Sequence, residues 1–299
     1  MVKLFTDKGY NKTCKNINIV ILKKIKQIFN VPIKTFLSII FLAVTSGCSI
    51  FSEGKDLSKE LNNKLNREII RNFSKAISKD PVNFLFYLER GRAKHDYGDY
   101  LGAIKDFNNS FSLNPDVKIF FYMANSKYAY GDHNGAIKDY EKLILKKYFK
   151  DQVFYNIASS HLILFNYLEA IENYTKSIEY DQDDENAYLN RGNAKFELSD
   201  YLGSIKDYKK SIDINKKSYI AFNNMGVSKF KLKKYKSALK DFKKSLKLNS
   251  NNYNTFYNKS ITHFELKEFK KACIDLKKSN KLGKEIFKEE FSKICFKNF

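Results

Sequence analysis

Small and aromatic residues recur along this chain at helical spacing. Between residues 84 and 283 an aromatic stands at Tyr87, Phe120, Phe154, Tyr188, Phe222 and Phe256, and four places on stands a small residue: Gly91, Ala124, Ala158, Gly192, Gly226 and Ser260. Positions i and i+4 share one face of a helix, so each pair predicts a helix with a notch beside a ring. A second set follows, with a small residue four places before a large one, as in Ala103/Phe107 and Ala238/Phe242. Polar turns such as Tyr97-Gly98-Asp99 and Leu198-Ser199-Asp200 separate the two sets. The small residue of the second set stands at 103, 136, 170, 204, 238 and 272, at spacings of 33, 34, 34, 34 and 34. The tracts Tyr100 to Phe107 and Tyr201 to Tyr208 are nearly identical. The pattern predicts an all-α chain of six helix–turn–helix units over residues 84–283. Such a period marks stacked repeats, because one helix pair cannot shield its own apolar face.

The flanks extend this picture. Leu57 to Lys79 reads as a further helix, with Ile69, Phe73, Ala76 and Pro81 in register with a second helix. Residues 57–83 are therefore expected to be a partial repeat capping the N-terminal end. Residues 284–299 continue as an amphipathic helix with Ile286, Phe287, Phe291, Ile294 and Cys295, expected to cap the other end. Residues 48–56 read as a short tether. Ahead of them, residues 1–34 hold eight lysines against Asp7, and an apolar run from Phe36 to Val44 leads into Thr45-Ser46-Gly47-Cys48. That order, basic then apolar then small, is the order of a secretory signal over residues 1–47. The apolar run is about ten residues long, short of the ~20 that a spanning helix needs.

Composition narrows the function classes. Hydrophobic residues make up 43% of the 299 and aromatics 15%, which excludes a disordered chain. Only 12 Gly and 3 Pro are present, too few turn-formers for an all-β sandwich or barrel. The formal net charge is +21, but only five of the 54 basic residues are arginine: Arg67, Arg71, Arg90, Arg92 and Arg191. Recognition of phosphates and base edges favours the planar arginine fork, so nucleic acid is a disfavoured partner. The lysine excess reads as the codon bias of an AT-rich genome. The charge is uneven, however. Residues 219–283 carry 16 Lys against Asp241, Glu265, Glu268 and Asp275. Lys233, Lys234 and Lys236 fall in a turn, and Lys240, Lys243, Lys244 and Lys247 on an outer helix. This convex basic surface carries the alternative function, a polyanion or nucleic-acid binder or a contact with acidic lipid headgroups; a plain solvated face is the simpler account.

Candidate chemistry is sparse. The cysteines are Cys14, Cys48, Cys273 and Cys295, with no CxxC and no zinc-ligand spacing. So few in so long a chain do not make a disulfide framework, and whether Cys273 meets Cys295 is left open by the sequence. His95, His133, His161 and His263 sit in slots that other large residues occupy in sister repeats, so they read as structural. No HExxH, GxSxG, P-loop or GxGxxG occurs. Asp181-Gln182-Asp183-Asp184-Glu185 fails as a calcium loop, with Asn186 at the turn glycine and Gly192 at the bidentate glutamate. It reads instead as a turn between repeats with an acidic helix start. No catalytic residue, metal or cofactor is expected.

The sixfold pattern resembles the tetratricopeptide repeat, over about Phe84 to Gly283. The family implies a right-handed α-solenoid whose first helices line a concave groove for a segment of another protein. This chain departs from it in detail. The family's early Trp is Phe or Tyr, and its closing Pro survives only at Pro115, with a fragment at Pro81. The small residue late in the second helix is mostly serine (Ser110, Ser177, Ser211, Ser245), and the late aromatic of the first helix is Lys or His, as at Lys94 and His161. These departures are expected to loosen packing. By the resemblance, groove residues lie at the second, fifth and sixth places of each repeat. The sixth place gives Asn156, Asn190, Asn224 and Asn258, interrupted in the first two repeats by Glu89 and Tyr122. Asn125 and Asn193 lie one turn further along their helices. An asparagine donates and accepts, so this ladder could pair with an extended peptide backbone. Phe121, Tyr155, Leu189 and Tyr257 beside it could supply apolar pockets; amides merely solvated remain the alternative. The fifth places hold no lysine, which disfavours the carboxylate clamp of chaperone-binding family members. Ser46-Gly47-Cys48 resembles a bacterial lipobox, with Thr45 in place of the usual Leu. It implies diacylglycerol on Cys48 and cleavage before it; an uncleaved anchor is the alternative. The expectation is a non-catalytic interaction scaffold tethered to a bacterial envelope membrane, its repeats periplasmic, holding an extended peptide or helix of another protein.

Overall fold

The computed structural model describes residues 54–147, 150–283 and Cys295. The segment 1–47, Cys48 and all of residues 284–299 except Cys295 lie outside the described residues. The chain divides into two units, residues 1–64 and 65–299. Of the first, the description holds only the opening of helix α1 (Gly54–Lys79), which starts three residues before Leu57, inside the expected tether. The second unit then runs through six helix pairs. These are α2 (Phe84–Tyr97) with α3 (Tyr100–Leu113), α4 (Ile119–Tyr130) with α5 (His133–Leu145), and α6 (Lys150–Ile163) with α7 (Tyr167–Tyr180). They continue as α8 (Glu185–Glu197) with α9 (Tyr201–Ile214), α10 (Tyr219–Lys231) with α11 (Tyr235–Leu248), and α12 (Tyr253–Glu265) with α13 (Phe269–Leu282). The described residues contain no strand. From α2 onward each helix packs on the next, so the second unit is an α-solenoid of six repeats.

The notch and the ring set the distance between paired helices. A Cβ on Gly226 would stand 2.6 Å from Phe242, and one on Gly192 would stand 2.8 Å from Tyr208. Phe107, Tyr140, Tyr174, Tyr208 and Phe242 are each at most 1% exposed. The core does not close within a repeat. One cluster joins Ala124, Tyr140 and Val153 from α4, α5 and α6. Another joins Leu189, Tyr208 and Phe222 from α8, α9 and α10. Each repeat therefore completes its neighbour's core.

Most of the serine and lysine departures do not loosen this packing but are paired across it; the buried Ser211 hydroxyl has no hydrogen-bond partner among the described residues. Ser110, Ser177, Ser245 and Ser279 each donate to a carbonyl 26 residues back, of Phe84, Asp151, Tyr219 and Tyr253, at 3.0, 3.1, 2.8 and 2.9 Å. The second helix is thus pinned to the start of the first. Lys94, Lys127, Lys195 and Lys229 reach the buried Asp106, Asp139, Asp207 and Asp241 at 2.8, 2.5, 2.7 and 2.5 Å. Arg90 and Arg191 add a second cation to Asp106 and Asp207, both at 2.7 Å. Their other arms reach Ser74 and Thr175 in the preceding second helix, which puts α1 in the place of a second helix. In the last repeat Asp275 takes Lys259 at 2.8 Å, with His263 at 3.6 Å. Burial pushes the Asp241 carboxyl up, against the pull of Lys229. The third repeat has no such pair: Asn173 stands for the aspartate and His161 for the lysine. Both charges disappear together, as the cost of one unpaired buried charge requires.

The turn inside each repeat demands a left-handed residue at 98, 131, 165, 199, 233 and 267. Gly98 and Gly131 supply it with φ 96°, while Phe165, Ser199, Lys233 and Lys267 hold φ from 57° to 63° against their own Cβ. Asp99, Asp132 and Asp200 cap the following helix by accepting from Gly102, Gly135 and Gly203 N–H at 3.0, 2.9 and 2.8 Å. Cys273 of α13 is disulfide-bonded to Cys295, with Cα atoms 5.7 Å apart, which answers the question the spacing left open. No helix of the described residues is long and apolar enough to cross a membrane.

Two stability measurements check this account. Lys267→Gly is expected to raise unfolding free energy by about 0.5 kcal/mol, the left-handed strain relieved less the added chain entropy, in urea titration. Asp139→Ala is expected to cost about 3 kcal/mol by leaving Lys127 unpaired. The double change Asp139→Asn with Lys127→His, which copies the third repeat, should cost less than half of that.

Candidate functional site

The first helices form the inner side of the stack. Those of neighbouring repeats approach each other directly, α2 with α4, α6 with α8, α8 with α10 and α10 with α12, and no pair of second helices does so comparably among the described residues. The sixth-place amides lie on that side, and all four are half-buried.

They are joined across repeats. Asn156 donates to Asn125 at 3.4 Å, and Asn125 also accepts from the Tyr140 hydroxyl at 2.5 Å. Two repeats on, Asn224 donates to Asn193 at 3.0 Å, and Asn193 accepts from Tyr208 at 2.9 Å. Asn190 donates to the Tyr155 hydroxyl at 3.0 Å, beside a Ser159–Tyr174 hydrogen bond of 2.9 Å. Asn258 donates to Asn223 at 3.1 Å. Each ladder amide therefore spends one N–H on the preceding repeat and has a second N–H beyond that bond. Burial raises Tyr140, Tyr174 and Tyr208 well above the usual phenol range and pushes Tyr155 up to about 12. These hydroxyls stay neutral donors at any physiological pH.

The tyrosines were the part missed from sequence, and a signal for them was present. Where the second helix offers Tyr140, Tyr174 or Tyr208, the facing residue is Asn125, Ser159 or Asn193; where it offers Phe242 or Leu276, the facing residue is Val227 or Ile261. In repeats 2 to 6 a phenol comes with a polar facing residue and an apolar side chain with an apolar one, whereas Phe107 of the first repeat has Arg92 at the facing position. The expected apolar pockets are placed differently. Leu189 is 9% exposed and belongs to the core. Phe121 packs edge-on to Tyr140 at 6.3 Å, and Tyr155 edge-on to Tyr174 at 5.5 Å. Tyr257 is half-buried beside Asn258.

A concavity not foreseen opens at the first two repeats. It is a pocket of about 260 Å³ lined by Arg92, His95, Asp96, Phe107, Tyr122 and Asn125. Phe107 floors it, and the Arg92 guanidinium lies 5.5 Å from the Tyr122 ring centre while pairing with Glu89 at 3.0 Å. His95 meets the Ser126 hydroxyl at 2.9 Å, and burial lowers its pKa below the usual histidine value. An apolar floor with a cation, a carboxylate and an amide on its rim suits a held side chain. The remaining histidines take structural partners: His133 packs edge-on to Tyr128, His161 meets Asn166 and His263 meets Glu268. Asp184 caps α8 through Asn186 and Ala187 N–H, which accounts for the acidic tract. Part of the basic surface is likewise committed within the chain. Lys229 and Lys259 hold aspartates, and Lys244 and Lys278 lie 5.4 and 5.6 Å from the rings of Phe222 and Phe256.

Comparison with known families agrees with this geometry. Sequence models described as tetratricopeptide repeat match residues 185–218 and 219–252, and one described as TPR repeat matches 166–199. Residues 166–252 of the chain are thus tetratricopeptide repeats. Among solved structures it is similar to the C-terminal part of a TPR repeat-containing protein from Cytophaga hutchinsonii, at TM-score 0.62 and 17% identity over 76% of this chain and 93% of that one. It is similar also to a tetratricopeptide repeat protein from Parabacteroides merdae, at TM-score 0.55 and 17% identity over 80% and 98%. A third is YrrB, a TPR protein with an unusual peptide-binding site, at TM-score 0.55 and 15% identity over 62% and 97%. These likenesses are of fold. No curated protein sequence matches the chain.

Paired substitutions test the amide–phenol network. Asn193→Val should cost less in a Tyr208→Phe background than alone, with a coupling of about 1 kcal/mol in urea unfolding.

Proposed function

We propose that this protein is a non-catalytic interaction scaffold whose inner face holds an extended segment or helix of another protein. The observation that carries the reading is the row of half-buried asparagines, one in each of repeats 3 to 6, each fixed by the repeat before it. Fixed amides lose little freedom on binding, so their remaining hydrogen-bonding groups meet a peptide backbone at low entropic cost. Each such bond is worth only about 1 kcal/mol, so the ladder acts with the side-chain pocket at Arg92, Tyr122 and Asn125. The peptide-binding site of YrrB, on a similar fold, supports the same class of partner.

The setting belongs to the same proposal. Residues 1–47 would export the chain, and lipid on Cys48, or an uncleaved anchor there, would tether it to a membrane of a bacterial envelope with the repeats in the periplasm. The Cys273–Cys295 disulfide supports an oxidising compartment of this kind. The alternative, a polyanion or nucleic-acid binder through residues 219–283, predicts binding that falls steeply with salt.

The test is capture of partners from detergent-solubilised envelope by the full chain and by its Asn190→Ala/Asn224→Ala variant, with circular dichroism confirming that both are folded. The proposal expects the variant to lose the partners that the unaltered chain retains. Recovery of the same proteins by both would remove the ladder from the function.

A further inference from the structure

A second surface of the stack is independent of the inner face. The turns inside the repeats line one edge, and in repeats 3 and 4 that edge exposes apolar side chains. Phe165 is 75%, Leu168 70% and Leu202 58% exposed. Phe165 also holds the left-handed turn position, φ 61°, where the first two repeats use Gly98 and Gly131. It combines backbone strain with hydrophobic exposure, and its ring meets that of its neighbour Tyr167 edge-on, with ring centres 6.2 Å apart. In repeat 5 the same slots are basic. Lys236 stands where Leu168 and Leu202 stand, Lys233 where Phe165 stands, and Lys234 lies between them, all three exposed. Glu169 and Asp200 share the edge in repeats 3 and 4, but Asp200 is engaged at the start of α9, and the repeat 5 turn has no acidic residue.

We propose that the turn edge of repeats 3 to 5 docks on a membrane surface containing anionic lipid. The chemistry of the edge matches the two layers of such a surface. Phenyl and leucyl tips enter the boundary of the acyl region, and the lysine ammoniums meet headgroup phosphates. A nucleic acid offers the phosphates without an apolar layer beneath them, and its recognition favours arginine. Each lysine near an anionic surface contributes roughly fivefold in affinity, so the three together contribute about a hundredfold.

The chain has no tryptophan, which makes the test local. Leu168→Trp places a single reporter on the edge. Leu248→Trp places a control at the far end of α11, on the opposite edge. Each full-length variant is mixed with vesicles of brominated phosphatidylcholine, with and without phosphatidylglycerol. Quenching then reads contact at that residue, whatever residues 1–53 do. The proposal expects Trp fluorescence at position 168 to shift blue and be quenched on the phosphatidylglycerol vesicles, with position 248 unaffected. Adding Lys233→Gln, Lys234→Gln and Lys236→Gln should abolish that quenching, in line with docking about a hundredfold weaker. Equal quenching at both positions, quenching at neither, or quenching that survives the three glutamines would overturn it. So would tighter binding of the edge to DNA than to these vesicles, measured with the same reporter.

Discussion

A ring pressed into a notch is what the stack rests on. In each repeat a residue without a bulky side chain on the first helix receives a large side chain from the second, as Gly226 receives Phe242 and Ala158 receives Tyr174. A buried aromatic of this kind is worth about 3–5 kcal/mol by truncation, against about 1 kcal/mol net for a neutral hydrogen bond nearby. The close approach has a consequence for every polar residue at the same interface. Water is excluded there, so an aspartate, a serine hydroxyl or a phenol is costly unless it finds a partner within the chain, and among the described residues all but a few, Ser211 among them, do so. The Asp–Lys pairs, the serine-to-carbonyl bonds and the tyrosine–asparagine bonds are three answers to one requirement. They specify register more than they add stability, because a buried ion pair roughly balances its own desolvation.

The second consequence is interdependence. The apolar clusters straddle repeat boundaries, and the amide network crosses the same boundaries on the inner side. A repeat is thus incomplete alone, and the face it offers to a partner is fixed by the repeat before it. Structure and proposed function meet at this point. The asparagines that would hold a peptide are ordered by the bonds that hold the repeats in line.

The fold was legible because its period is long, regular and repeated six times, so chance matches cancel. The asparagine row was legible for the same reason. Its network was not, since the phenols of Tyr140 and Tyr208 lie 15 residues from Asn125 and Asn193 on the other helix, and that of Tyr155 lies 35 residues from Asn190, so they are seen only by comparing repeats in pairs. Lys94 and Ser110 were misread as weak packing because each was weighed singly against an apolar preference. The burial of Asp106 and the carbonyl of Phe84 are what make them fit. The left-handed turn was hidden where Phe165, Ser199, Lys233 and Lys267 replace glycine, because the surrounding helices impose a geometry that these residues do not favour.

If each repeat completes the next, a further copy should fit wherever its two faces match their neighbours. Tandem duplication of residues 185–218 puts this to the most direct test, read by urea unfolding of the lengthened chain followed by circular dichroism. A seven-repeat chain that unfolds in one cooperative step, at higher urea and with a steeper dependence, is the result expected of nearest-neighbour stacking. Loss of the cooperative step, or a lower midpoint than that of the unaltered chain, would contradict it.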